Sequence, residues 1–319
     1  MRRSRSSRAL PALSALLLGL SACLTQAPAA DADAAGRLSG HDGASSTAVA
    51  DDAYWTAQRM RAARPQDDAL PASPAGSLPV PPSHPFPGLP QVGTFFWTDG
   101  QNQARSCGAT VVRSPVRDLV ISAGHCLIHA GAKEDLAFVP MYHDGLKPYG
   151  VFPVRTIYID QRYYTLGSGK GARWDYSLSR LEPRADGREV QDVVGAFDLM
   201  AYPGYVHRSV RLIGYPGYSD TTGPEPLDCW SSTRRYTSTD PNAPGDFLEI
   251  GCAGYVDGTS GGPFLVREAH GFGVIGVIGG YHTGGDTPDI SYSAYFTADL
   301  AQLYAHAVHG DPPAGPAAS

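Results

Sequence analysis

The chain has 319 residues, with 37 glycines, 27 prolines and only 18% charged residues. Few charges and many turn formers disfavour a helical protein and fit a β protein with many loops. The formal net charge of −6 offers no basic excess for a nucleic-acid partner.

The N-terminus carries Arg2, Arg3, Arg5 and Arg8, followed by an apolar run over 9–20. That run is too short to span a bilayer, and the pattern predicts an export signal over 1–29. The twin arginines lack the usual hydrophobic pair after them, which favours the general export route. Two cleavage readings stand. Ala27-Pro28-Ala29 offers an ordinary small-residue site, whereas Leu20-Ser21-Ala22-Cys23 resembles a lipobox that would put lipid on Cys23. Such a lipid would be the only membrane attachment, since no other segment is long and apolar enough to cross. The chain is expected to be secreted, or lipid-anchored at the cell surface, and monomeric.

Residues 30–90 read as a pro-segment or Pro-rich linker, largely disordered. The stretch 30–50 is rich in Ala, Asp, Gly and Ser and has little to bury. "WTAQRMRAAR", 55–64, has the pattern of a short helix whose apolar contacts are Trp55 and Met60. Residues 70–90 hold eight prolines and predict an extended linker. The segment is either a removable inhibitor or a spacer.

From Gln91 the pattern becomes one of short apolar runs between turns. "VGTFFWTDGQNQARSCGATVV" predicts a strand, an Asp99-Gly100 turn and a second strand. Further runs follow at 119–122, 137–142, 154–159 and 176–181. A second series occupies 210–215, 227–230, 247–250, 263–266, 274–278 and 292–296. Two such sets predict two antiparallel barrels or sandwiches, one over 91–196 and one over 197–310. Apolar residues at helical spacing in "ADLAQLYAHAV" predict a C-terminal helix over 298–308. The tail 311–319 is expected to be disordered.

Setting Cys23 aside, four cysteines remain, and an even set in an exported chain predicts disulfides. Three connectivities are open. Pairing neighbours gives Cys107–Cys126 and Cys229–Cys252. No CxxC pair is present, and His125 with His129 lacks the companions of a zinc pattern, so no metal is expected.

Three short motifs carry chemistry. His125 lies in "LVISAGHCL", Asp175 in "WDYSLSRL" and Ser260 in "GYVDGTSGGPFLV". A serine hydroxyl needs a base to take its proton, and histidine serves near neutral pH. The imidazole in turn needs an anion to fix its tautomer. The developing oxyanion needs aimed donors, which the amides of Gly258 and Ser260 can supply. Gly261 and Gly262 are expected to let a substrate backbone approach.

These motifs, "SCGATVV…LVISAGHC", "WDYSLSRL" and "DGTSGGP" in that order, resemble the chymotrypsin-like serine endopeptidases over roughly 91–308. "FVPMYHDGLKPYGVFPV" and "GGYHTGG" resemble the bacterial branch that includes the glutamyl endopeptidases. The resemblance implies an all-β chain of two antiparallel six-stranded barrels with a C-terminal helix. It also implies a catalytic trio of His125, Asp175 and Ser260, protein or peptide substrates, and no cofactor. Thr259 replaces the aspartate common before the nucleophile, so activation by a new N-terminal amine is not expected. Cys252 lies farther from Ser260 than in trypsins, which implies a rebuilt pocket loop.

The resemblance places His282, Thr283 and Gly284 in the substrate-binding wall. There His282 would receive a substrate carboxylate; the competing reading is a plain strand residue beside an apolar pocket. Gly254 stands where trypsins carry the anion that binds basic side chains, and Asp257 is expected on the loop surface. Two other classes compete with this reading. Gly258-Thr259-Ser260-Gly261-Gly262 satisfies the G-x-S-x-G elbow of α/β-hydrolase esterases, but Pro263 to Val266 reads as strand where that fold needs a helix. A catalytically inactive protease-fold binding module is disfavoured because all three catalytic residue types are present.

Overall fold

The computed structural model describes residues 52–66, 80–128, 134–217 and 225–315. The export signal over 1–29, Cys23 and His129 lie outside these, as do 30–51, 67–79 and 316–319. No described helix is long and apolar enough to cross a membrane.

The described residues open with helix α1 (Ala57–Arg61), strand β1 (Arg64–Pro65) and strand β2 (His84–Pro85). The first barrel then follows: β3 (Val92–Thr98), β4 (Ala104–Val111), β5 (Leu119–Ser122), helix α2 (Gly124–Leu127), β6 (Glu134–Pro140), β7 (Phe152–Ile159), helix α3 (Gln161–Lys170) and β8 (Ser177–Leu181). Its strands pair in the order β4-β3-β6-β7-β8-β5, and β5 pairs back onto β4, so the six-stranded antiparallel barrel is closed. Closure removes the edges that an open sheet would leave unpaired.

Helix α4 (Val190–Val194) and strand β9 (Asp198–Leu199) lead to the second unit. It contains β10 (His207–Gly214), β11 (Leu227–Thr237), β12 (Asp246–Gly251), β13 (Pro263–Glu268), β14 (Gly271–Val277) and β15 (Ile290–Ala294), and ends in helix α5 (Ala298–His309). The order β14-β13-β10-β11-β12-β15 forms a second six-stranded sheet, with β9 beside β14 and β2 beside β11. Its ends meet where Gly279 N–H donates to Tyr292 O at 3.0 Å and Val277 N–H to Ser293 Oγ at 2.9 Å. The chain is thus all-β with a C-terminal helix. That helix starts at a Thr297 cap, whose hydroxyl accepts from Asp299 N, and stops at left-handed Gly310.

Strand β3 shows why local pattern and burial differ. All seven of its residues are buried, so it lacks the in–out alternation of a half-exposed strand. Phe95 packs edge-on to Phe138 at 5.6 Å, whereas its neighbour Phe96 meets Trp55 at 5.5 Å and Tyr142 at 4.8 Å. Trp55 and Met60 are themselves buried against this outer face. Residues 52–66 and 80–90 therefore correct the expectation of a largely disordered linker. The few apolar residues of the first stretch suffice because β3 offers a second apolar face. In 80–90, Pro81 O accepts from Ala253 N at 2.9 Å and Ser83 N–H donates to Ala253 O at 3.1 Å.

Two disulfides are present. Cys107–Cys126 ties β4 to α2, and Cys229–Cys252 ties β11 to the chain leaving β12.

Candidate active site

His125 sits on α2, one short turn past the end of β5, and is pinned by the disulfide of its neighbour Cys126. Asp175 follows a 3₁₀ turn over Ala172–Trp174 and precedes β8; it is completely buried. Three donors converge on its carboxylate. His125 N–H reaches Oδ1 at 2.7 Å, and His125 Nδ1 and Gly280 N–H reach Oδ2 at 2.8 and 2.7 Å. The carboxylate can only accept from Nδ1, so the imidazole carries its proton there and presents Nε2 as a base. Two glycines make room for this. A side chain at Gly124 or Gly279 would meet Asp175 carboxylate oxygens at 3.1 Å.

Ser260 lies in the loop between β12 and β13 and is nearly buried. Gly108 N–H donates to its carbonyl at 2.7 Å, and Gly261 N–H donates to Ile278 O at 2.8 Å. Thr259, in the position where an acidic residue would be expected, turns its hydroxyl inward to Val256 O at 2.8 Å. Gly258 has φ 89°, a left-handed conformation suited to glycine. Among the described residues the amides of Gly258 and Ser260 donate to nothing, although those of Thr259 and Gly261 are engaged.

Gly261 and Gly262 correct the expectation that they admit a substrate. A Cβ on Gly261 would stand 2.0 Å from Gly108 O and 2.3 Å from Ser122 Oγ, and one on Gly262 would stand 2.2 Å from Ile213 O. They are glycines because protein backbone already fills that space.

Ser260 and His125 open on one cleft of about 720 Å³. Tyr255, Val256, Ile278 and Ile290 supply the larger apolar side chains of its second-sheet lining, among polar neighbours that include Asp257, Thr259 and Asp286. The Tyr255 hydroxyl donates to Leu212 O at 2.6 Å, and burial pushes its pKa well up, so the ring faces the cleft as a neutral surface. The residue at the Gly254 position carries no anion, and Ser83 Oγ lies 2.7 Å from where its side chain would begin. Asp257, expected on the loop surface, borders the cleft.

His282, Thr283 and Gly284 do line the cleft wall. The wall is a 3₁₀ turn, not a strand, and His282 and Thr283 both adopt left-handed backbone, at φ 47° and 56°. The imidazole of His282 is already committed: Nδ1 lies 2.7 Å from Asp286 Oδ1 and Nε2 3.3 Å from Asp240 Oδ2. With a carboxylate beside each ring nitrogen, His282 would have to exchange one of these partners to receive a substrate carboxylate.

Helix α3 was not foreseen. It sets Tyr163, Tyr164, Gly167 and Ser168 on the cleft. Its sequence, "QRYYTLGSGK", has two internal glycines and no apolar stripe. The usable signal was Asp160, which caps it by accepting from Arg162 N at 2.9 Å. The sulfurs of Cys107 and Cys126 lie near His125 in an arrangement that could suggest a metal site, but they are bonded to each other.

No protein-family model and no curated protein matches the sequence. Solved structures do match. Protease Anisep from Arthrobacter nicotinovorans superposes with a TM-score of 0.60 at 22% identity, over 71% of this chain and 99% of that one. The thermostable serine protease AL20 from an extremophilic microorganism gives 0.55 at 23%, over 70% and 98%. A Glu endopeptidase gives 0.54 at 15%, over 72% and 97%. The fold is that of the chymotrypsin-like serine proteases. Within this fold the α/β-hydrolase alternative falls away, since β13 follows Ser260 directly and no helix does.

Proposed function

We propose that the chain is a secreted serine endopeptidase that cuts protein substrates through an acyl-enzyme on Ser260. The observation that carries this is the buried Asp175–His125 pair facing the same cleft as Ser260, beside two unengaged amides. Ser260 Oγ attacks the scissile carbonyl carbon while its proton passes to His125 Nε2. The carbonyl oxygen becomes an oxyanion received by the Gly258 and Ser260 amides. Asp175 holds Nδ1–H and stabilises the imidazolium without taking its proton. As the C–N bond breaks, Nε2 returns the proton to the leaving amine. Water then repeats the sequence on the ester, releasing the acid and free Ser260.

The apolar side chains of the second-sheet lining favour cleavage after apolar residues. An acidic side chain there would meet Asp257 and Asp286, and the ring nitrogens of His282 already have carboxylate partners. Two disulfides support an oxidising, extracytoplasmic setting. The packing of 52–66 onto β3 supports a pro-segment in preference to a spacer. Ser260→Ala is expected to lower kcat/KM on casein by about 10⁴-fold or more without changing Tm. Cleavage near the wild-type rate by that variant would remove the assignment.

A further inference from the structure

Residues 52–66 do more than cover the first barrel. Trp55 is buried and its Nε1–H donates to Asp135 O at 2.8 Å. Met60 and Ala63 are buried beside it, and Arg61 pairs with Asp144 at 2.9 Å. This anchor delivers β1 to the outer edge of β4, where it pairs in parallel, Arg64 with Arg105 and Pro65 with Ser106. Gln66 N–H then donates to Ser106 O at 3.2 Å, and Gln66 itself borders the cleft that holds His125 and Ser260. Gly217 leaves space for the strand: a Cβ there would lie 2.1 Å from the Pro65 ring.

The position of this strand relative to the reacting atoms is informative. Of the residues that line the cleft, Tyr255, Ile278 and Ile290 come from the second sheet and its loops. The imidazole that would protonate the departing amine comes from the first barrel, on α2 next to Cys126. Ser106 directly precedes Cys107, the disulfide partner of Cys126. The edge that Arg64–Gln66 fills is therefore tied to the turn that carries His125, the group that would protonate the leaving amine, and its backbone N–H and C=O groups would otherwise be open to an extended substrate.

We propose that Arg64–Gln66 is a blocking strand bound in cis, which occupies the leaving-group half of the cleft and leaves the acyl half open. This inference rests on the protease reading. It makes the full chain selective: substrates that end at the scissile bond are hydrolysed, whereas substrates continuing beyond it must first displace the strand.

The test compares the full chain with Gln66→Pro on two substrates sharing one acyl peptide. One is a p-nitrophenyl ester and the other continues for three residues past the scissile bond. Proline keeps the extended backbone but removes the donor to Ser106. A backbone hydrogen bond of this kind is worth up to about tenfold. The expected result is a rise of about five- to tenfold in kcat/KM on the extended peptide, with the ester unchanged within about twofold. Met60→Gln, which loosens the anchor from its other end, is expected to shift the same ratio. An unchanged ratio in both variants, or both substrates rising together, would overturn the proposal. Fluorophosphonate labelling of Ser260, run in parallel, separates the two levels. With Ser260 labelled, a flat ratio counts against the strand alone. With Ser260 unlabelled in the full chain and both variants, the protease reading falls and the strand with it.

Discussion

Ser260 is held by its neighbours' lack of side chains as much as by hydrogen bonds. Gly261, at φ 80° and against Gly108 O, is the most constrained of these positions. Gly261→Ala must move backbone at the nucleophile, at about 2–4 kcal/mol. We expect Tm to fall by about 5–10 °C and kcat/KM by at least about 100-fold. Gly100→Ala, where a side chain meets nothing within 4 Å, serves as the control and should change neither. Unaltered activity in Gly261→Ala would contradict this account of the "TSGGP" stretch. The sequence made the need for glycine visible there, but not its reason, because Gly108 and Ile213 come from distant strands. His282 teaches the same lesson. Its place in the cleft wall could be read from "GGYHTGG", but its partner Asp240 is 42 residues away and carries no local signal. His282→Ala is expected to leave residue preference in a peptide library unchanged within about twofold. KM should rise a few-fold as the left-handed wall loses its two pairs.

At the scale of elements, the strands were legible wherever an apolar run was bounded by turn residues, as in β5, β8 and β13. Helix α5 was legible from its period and caps. Helix α3 was not, because it has two internal glycines and no apolar stripe, and α4 was not, because its five residues, with Val190 and Val194 buried, are too few to display a helical period. Asp299, in the first turn of α5, shows how these elements support the site. It accepts from Trp174 Nε1 at 2.9 Å and pairs with Arg162 of α3 at 2.9 Å, and Trp174 adjoins Asp175. Burial opposes ionisation of Asp299, but the hydrogen bonds from Arg162 and Trp174 outweigh it and hold its carboxyl below the usual aspartate range. A depressed carboxylate stabilises the fold in full above its unfolded value, near pH 4, and loses that contribution as pH falls through the folded value. Asp299→Ala is therefore expected to lower stability by about 1–2 kcal/mol at pH 7. The difference from wild type should shrink below about pH 4. Denaturant unfolding across pH checks this, and a gap that widens on acidification would refute it.

At the scale of the whole molecule, two sheets bring three distant motifs to one cleft. His125 and Asp175 come from the first barrel, and Ser260 from the second sheet, whose Gly280 reaches back to Asp175. The order of the motifs was readable in the sequence; the burial of 52–66 was not, because its apolar residues are few and the face that receives them belongs to β3. The central claim is that this cleft activates Ser260 as a nucleophile. It is tested most directly by treating the full chain with a fluorophosphonate at pH 7.5 and mapping the adduct by peptide mass spectrometry. One adduct is expected, on Ser260, formed in the wild type and slowed by at least about 10³-fold in His125→Ala. Absence of an adduct on Ser260 in the folded wild type, or equal labelling in His125→Ala, would contradict it.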